Sequence, residues 1–256
     1  MGTKAQGRIL FWEGATLWVL SAPPGEQYPR TDVHSHHVVQ VTLALTGTVE
    51  LASPTGTVSG VALAVAPDAE HSFWGNGLVA HLFVAPEGKA GRQLTSTLFA
   101  NGPVAHIPAA LLGDLPARLR ASFQAPERTD EQLMALGRTL AAQLTQGGLA
   151  PRRVDHRVAK LIAWVTPRLD QPVTLEDAAA FVSLSPGRTR HLFVEQTGLP
   201  FRTYLLWLRL QRAVERFASG ASLTEAAHAA GFADSAHLSR TFRRMFGIAA
   251  VTLQVS

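Results

Sequence analysis

Ala227-His-Ala-Ala-Gly231-Phe232-Ala-Asp234-Ser-Ala-His-Leu238-Ser-Arg240-Thr-Phe242 is the stretch that decides how this chain folds. It carries the punctuation of two short helices meeting at a tight turn. Ala226 and Ala227 are small enough to let a second helix cross closely. Gly231 is free to take a positive φ, Asp234 can cap the helix that follows, and Gly247 can end it. Past the turn, Leu238, Phe242, Met245 and Phe246 form an apolar stripe. Ser235, His237, Ser239, Arg240 and Arg243 leave the rest of that helix polar. Two short helices at a steep angle, the second exposing basic and hydrogen-bonding groups, suit insertion into a DNA major groove.

The same pattern occurs twice. Thr174-Leu-Glu-Asp-Ala-Ala matches Ser222-Leu-Thr-Glu-Ala-Ala at a separation of 48, and Thr189, Phe193 and Gly198 match Leu238, Phe242 and Gly247 at 49. The second turn therefore holds one extra residue. Ser222 with Glu225 is a capping box, and Thr174 with Asp177 is its weaker variant. Ser185 caps the second helix of the first copy, with Pro186 at its first position. Thr189, Leu192 and Phe193 face inward there, leaving Arg188, Arg190 and His191 outward. Between the copies, Phe201–Phe217 is apolar on more than one side, which predicts a buried helix holding the two units in fixed relation.

Residues 154–247 resemble the DNA-binding domain of the AraC/XylS family of transcription regulators. The motif that carries the resemblance is Ala227-x3-Gly231-Phe232-x-Asp234-x3-Leu238-x-Arg240-x-Phe242, preceded by a first unit and a long linking helix. Three positions depart from the family pattern. Ser183 stands where the first turn usually has Gly, Thr189 replaces a Leu, and no Pro follows Gly247. The resemblance implies base contacts from Gly187, Arg188, Arg190 and His191 in the first unit and from Ser235, Ala236, His237 and Arg240 in the second. Gly187 and Ala236 have little to hydrogen-bond with, so the expected DNA-binding set is Arg188, Arg190, His191, Ser235, His237 and Arg240, with Ala236 placed to touch a thymine methyl. It further implies double-stranded DNA as the partner, with RNA polymerase and a second copy of the chain as additional partners, and a small-molecule or metal effector.

The first half reads as β structure. Apolar runs at Ile9–Trp12, Thr16–Leu20, Val38–Leu45, Val49–Leu51, Val61–Ala66 and Val79–Val84 alternate with turns at Ser21–Gly25, Gly47, Ser53–Gly56, Pro67-Asp68 and Gly75–Gly77. That spacing predicts a sandwich or barrel. Within it, His34-Ser-His36-His-Val-Val-Gln40…Gly47 resembles the first cupin motif with Gln in place of Glu, and Gly60…Pro67-Asp-Ala-Glu-His71 resembles the second. In a strand, positions 34, 36 and 40 share a face, so His34, His36 and Gln40 are expected to point together and meet His71 from a neighbouring strand. Three imidazoles and an amide oxygen suit Zn, Fe, Ni or Mn. An effector pocket without a metal is the alternative. His37 falls on the opposite face, while His81 and His106 have no partner spacing.

The expected fold class is thus two-domain: an N-terminal all-β cupin barrel over 1–107, a helical linker and candidate dimerisation region over 108–150, and an all-α domain with two helix-turn-helix units over 151–256. The helical spacing of Pro108–Phe123 and Thr129–Gln146 supports the linker, and Gly147–Pro151 supports the boundary. Charge divides in the same place. Residues 1–151 hold 9 basic and 11 acidic side chains, a net of −2, whereas residues 152–256 hold 14 and 8, a net of +6. All but Lys160 of those 14 are Arg, whose planar fork matches phosphate and guanine edges. With 46% apolar and 16% charged residues the chain is globular. It has no Cys, which excludes disulfides and thiolate metal sites. No apolar run spans a bilayer and no secretory signal opens the sequence, so a cytoplasmic, non-enzymatic regulator is the expectation.

Overall fold

The computed structural model describes residues 4–23, 26–146 and 154–255. The chain forms two compact units, Met1–Pro151 with Phe242–Ser256, and Arg152–Thr241. The boundary signal at Gly147–Pro151 and part of the Ser21–Gly25 turn lie outside the described residues.

The first unit is sheet-rich. In chain order it contains β1 (Ala5–Trp12), β2 (Ala15–Ser21), β3 (Val39–Ala44), β4 (Val49–Ser53), β5 (Gly56–Gly60), β6 (Ala62–Val65), β7 (Ser72–Gly75), β8 (Leu78–Val84), α1 (Lys89–Leu98), β9 (Val104–His106), α2 (Leu115–Gln124), α3 (Asp130–Leu144) and β10 (Leu253–Val255). One sheet has the order β10-β1-β2-β8-β3-β6-β9, the other β5-β4-β7. Strand period 2 sorts the side chains of the large sheet. Leu17 and Val19 of β2, Val39, Val41 and Leu43 of β3, and Leu78, Ala80, Leu82 and Val84 of β8 face one way, into a core shared with Leu94, Leu119, Leu133, Leu136, Leu140 and Leu144 of the helices. Trp18, Leu20, Gln40, His81 and Phe83 alternate with them and line a cavity on the other side. Both faces are covered, which is why every residue of β8 is buried.

The helices over 108–146 therefore spend their apolar stripes on the sheet. At Gly137, α3 comes so close that an added Cβ would lie 2.7 Å from the Trp12 ring. Residues of α2 and α3 belong to the same unit as the strands.

The second unit is helical: α4 (His156–Val165), α5 (Leu175–Phe181), α6 (Pro186–Thr197), α7 (Phe201–Ala218), α8 (Leu223–Ala229) and the opening turns of α9 (Ser235–Phe246). Both predicted capping boxes form, Thr174 with Asp177 and Ser222 with Glu225. Ser185 caps α6, Asp234 Oδ1 accepts from the His237 amide at 2.6 Å, and Gly198 closes α6 at φ 82°. Phe201, Tyr204 and Leu205 of α7 pack with Val158, Leu161, Val165 and Phe193, as expected of a helix apolar on several sides. Gly231 is required twice over. Its φ is +76°, and a Cβ there would sit 2.4 Å from the Leu169 carbonyl oxygen. Arg209 donates to that same oxygen at 2.7 Å and to the Gln171 carbonyl at 3.2 Å.

Candidate nucleic-acid interface and histidine-lined cavity

The second helix of each pair presents the side chains that could read DNA. On α6, Arg188, Arg190 and His191 are exposed, while Thr189 and Phe193 are buried. On α9, Arg240 is exposed, while Ser235 and His237 are half-buried. His237 is partly committed to the fold, because its ring stands edge-on to Phe232 at 5.1 Å. Gly187 opens onto free space and Ala236 is exposed. The Arg residues are left with long, unconfined side chains, which is what bidentate reading of a guanine edge asks for.

In the first unit, His34, His36 and His71 converge. Their ring centroids lie 5.7 Å (His34–His36), 4.2 Å (His34–His71) and 5.0 Å (His36–His71) apart. One nitrogen from each falls within 4.8 Å of the others, and all three residues are buried. The route differs from a single strand face. β3 begins only at Val39; His34 instead forms an isolated bridge with His71, and His36 sits in the connecting loop. The paired backbone bonds His34 N–H to His71 O and His71 N–H to His34 O, each 2.9 Å, draw the two imidazoles together.

Hydrogen bonds set the tautomers. His34 Nδ1 donates to the Asp32 carbonyl at 2.8 Å, and His71 Nδ1 donates to the Ala69 carbonyl at 2.9 Å. Both rings therefore turn an Nε2 lone pair inward, the orientation that metal-ligating histidines take from such partners. His71 Nε2 and His36 Nδ1 are buried without a hydrogen-bond partner among the described residues. Gln40 is spent differently from the expectation. Its Oε1 accepts from His36 Nε2 at 2.8 Å and its Nε2 donates to Thr42 Oγ1 at 2.8 Å, so it orients His36. Burial holds His34, His36 (about 4), His71 and His81 (about 3) below the usual imidazole pKa, and the neighbouring imidazoles depress the last three further. Burial thus favours the neutral form of all four. His37 is the opposite case. Burial alone would lower it, but Asp68 and Glu87 at 3.1 and 3.6 Å raise it to about 9 on the far side of the loop.

Sequence reasoning missed His81. It bonds Thr42 at 3.0 Å and lines the cavity with Trp18, Tyr28, Phe73 and Phe83. The pairing Thr42↔His81 brings it there, and nothing in the sequence reports that register. The alternation His81, Phe83 against Ala80, Leu82 was the available signal.

Sequence comparison reaches the C-terminal region, and structural comparison reaches both units. A family model described as a helix-turn-helix domain matches residues 178–254. The HTH-type transcriptional activator RhaS of Klebsiella pneumoniae (strain 342) is 38% identical over 91 residues, 35% of this chain and 33% of the relative. The HTH-type transcriptional regulator YpdC of Escherichia coli (strain K12) is 33% identical over 88 residues, 33% of this chain and 30% of the relative. The match thus spans about a third of the length of these curated relatives. Among solved structures, ToxT from Vibrio cholerae O395 superposes with a TM-score of 0.58 at 12% identity, covering 92% of this chain and 94% of that one. A ToxT structure with an unsaturated fatty acid bound gives 0.54 at 10% identity, covering 93% and 94%. The likeness to ToxT is one of fold, and it extends over the sheet-rich unit as well as the helical one.

Proposed function

We propose that the protein is a sequence-specific, DNA-binding transcription regulator whose first unit senses a small molecule or metal. The observation that carries this is the duplication. Two helix pairs, each with a capped first helix and a second helix bearing exposed arginines, are joined by one buried helix. Arg188, Arg190 and His191 then read one groove and Ser235, His237 and Arg240 the next, about 34–36 Å apart on one face of the duplex. Duplexes selected by the full chain from a random pool, then footprinted, test this. Two adjacent protected major grooves are expected; a single short patch, or no sequence preference, overturns it. Among the described residues no helix is long and apolar enough to cross a membrane.

The histidine trio fits a divalent metal. Three neutral imidazoles, two with backbone-fixed Nδ1–H groups, and a buried lone pair without a partner make a donor set suited to Zn, Fe, Ni or Mn. Bonds of about 2.0–2.1 Å ask the nitrogens to close in from their present separations. An ion there would supply a Lewis-acidic position beside the cavity. In this reading His34, His36 and His71 hold the ion, Gln40 orients His36, and Trp18, Phe73 and Phe83 keep the surroundings dry. Cobalt titration followed by its visible absorption checks it: one equivalent is expected for the wild type and none for His71→Ala, with circular dichroism unchanged. Uptake unaffected by His71→Ala would refute it. That a ToxT structure carries a fatty acid supports a ligand-sensing role for this kind of first unit.

A further inference from the structure

The cavity is lined in part by the chain's own C-terminal segment. Its lining combines Trp18, Leu20, Tyr28, Phe73 and Phe83 of the sheet region with Phe246, Ile248 and Leu253. Phe246, at the last turn of α9, is the central piece. Its ring lies 4.9 Å from Trp18, 5.8 Å from Phe83 and 6.1 Å from His36. With it in place the free cavity is about 70 Å³, too small for most organic ligands.

Other groups hold the segment as well: Phe242, Ala250 and Leu253 are buried, and Phe242 stacks on Trp18 at 6.3 Å. β10, at the edge of the sheet, pairs with β1 over the three positions Ala5↔Leu253, Gln6↔Gln254 and Gly7↔Val255. The Asp32 amide donates to the Gly247 carbonyl at 2.9 Å. The Arg243–Asp32 ion pair, 2.8 Å, is more than half exposed on both sides, and such pairs contribute little. Of these residues Phe246 is the aromatic ring that lines the cavity itself. The site it fills has a definite chemistry. No Lys, Arg, Asp or Glu lines the cavity among the described residues. A carboxylate or ammonium would lose its hydration there without gaining an oppositely charged side chain.

We propose that Phe246 is the cavity's resident occupant, standing where a neutral effector with a flat apolar ring binds, so that filling the cavity unseats the last turn of α9. Because α9 also carries Ser235, His237 and Arg240, the occupant of the cavity sets the end of the helix that reads DNA. This rests on the sensing reading above for the identity of the cavity as a ligand site. It does not require a bound metal.

Indole serves as the neutral probe and indole-3-acetate as its charged counterpart, both with EDTA present. A ligand that must first expel a competitor binds more weakly by the fraction of protein in which the site is open. Titration calorimetry on the full chain should therefore show Phe246→Ala binding indole at least tenfold tighter than wild type, with indole-3-acetate failing on both. Indole-saturated wild type and indole-free Phe246→Ala should shift affinity for a selected duplex in the same direction, threefold or more. A second variant guards against a misfolded Phe246→Ala. Gln6 and Gln254 side chains already touch at 3.3 Å, and the chain has no Cys. Gln6→Cys/Gln254→Cys should bind indole at least fivefold more weakly when oxidised than after dithiothreitol. Equal indole affinity in wild type, Phe246→Ala and the oxidised double variant, or tighter binding of indole-3-acetate, overturns the proposal. Failure to select any duplex would instead strike the DNA-reading proposal and leave the indole results standing.

Discussion

The two helix-turn-helix copies share a plan and differ in what they answer to. The first, α5 with α6, lies wholly within the helical unit. Its turn is made by Ser183 at φ +55°, and its second helix buries Thr189 where the other copy buries Leu238. The second copy turns at Gly231, φ +76°. Its α9 starts in the helical unit and ends among the residues that cluster with the sheets, with Phe242 and Phe246 against Trp18 at 6.3 and 4.9 Å. One copy is positioned by its own unit alone, whereas the other has its last turn held at the cavity. Duplication of a motif thus need not duplicate its control.

The largest expected effect tests the second turn. Gly231→Ala places a Cβ against the Leu169 carbonyl and forces a left-handed backbone on a non-glycine residue, which costs about 2–4 kcal/mol. Urea unfolding of the full chain should show the midpoint fall accordingly. A loss below about 1 kcal/mol would mean that this turn is no more constrained than the Ser183 turn.

Next come the reading side chains. Arg240→Ala and Arg188→Ala should each cost about 1–3 kcal/mol at one base position. If the copies are equivalent readers, the two losses fall in separate half-sites and are similar in size. Equal losses on selected and random duplexes would make either residue a phosphate contact. A smaller loss follows from Ser222→Ala and Thr174→Ala, about 1 kcal/mol each, because each hydroxyl accepts from the amide three residues on, at 3.2 and 3.1 Å. Matching values would show that the two first helices are capped alike, and thermal unfolding reads both.

The smallest change is a gain. Ser183→Gly relieves a positive φ in a serine and should raise stability by about 0.5–1 kcal/mol, after the added flexibility of the unfolded chain is subtracted. If it destabilises, the Ser183 side chain holds the first turn by a contact.

Much of this was legible in the chain itself because it is written locally. The capping boxes, the Gly-Phe turn and the apolar stripes of α6, α7 and α9 involve residues within a few positions of one another, where backbone sterics and helix period decide the outcome. Histidine convergence was readable for a different reason: His34, His36 and His71 sit at recognisable motif spacings, even though a loop and a bridge, not one strand face, bring them together.

What no local pattern could state is which distant segments meet. That Gln40 gives its amide oxygen to His36 instead of offering it as a ligand beside the histidines, that His81 joins the cavity through its pairing with Thr42, and that α2 and α3 spend their leucines on the sheet all depend on strand register and packing. Phe246 is the clearest case. From sequence it is one more apolar residue on the stripe of α9. Its place beside Trp18 and His36 exists only because the tertiary fold brings the chain end back to the first strands. Local sterics determined the helices and turns; burial of apolar rings far apart in sequence decided what lines the cavity.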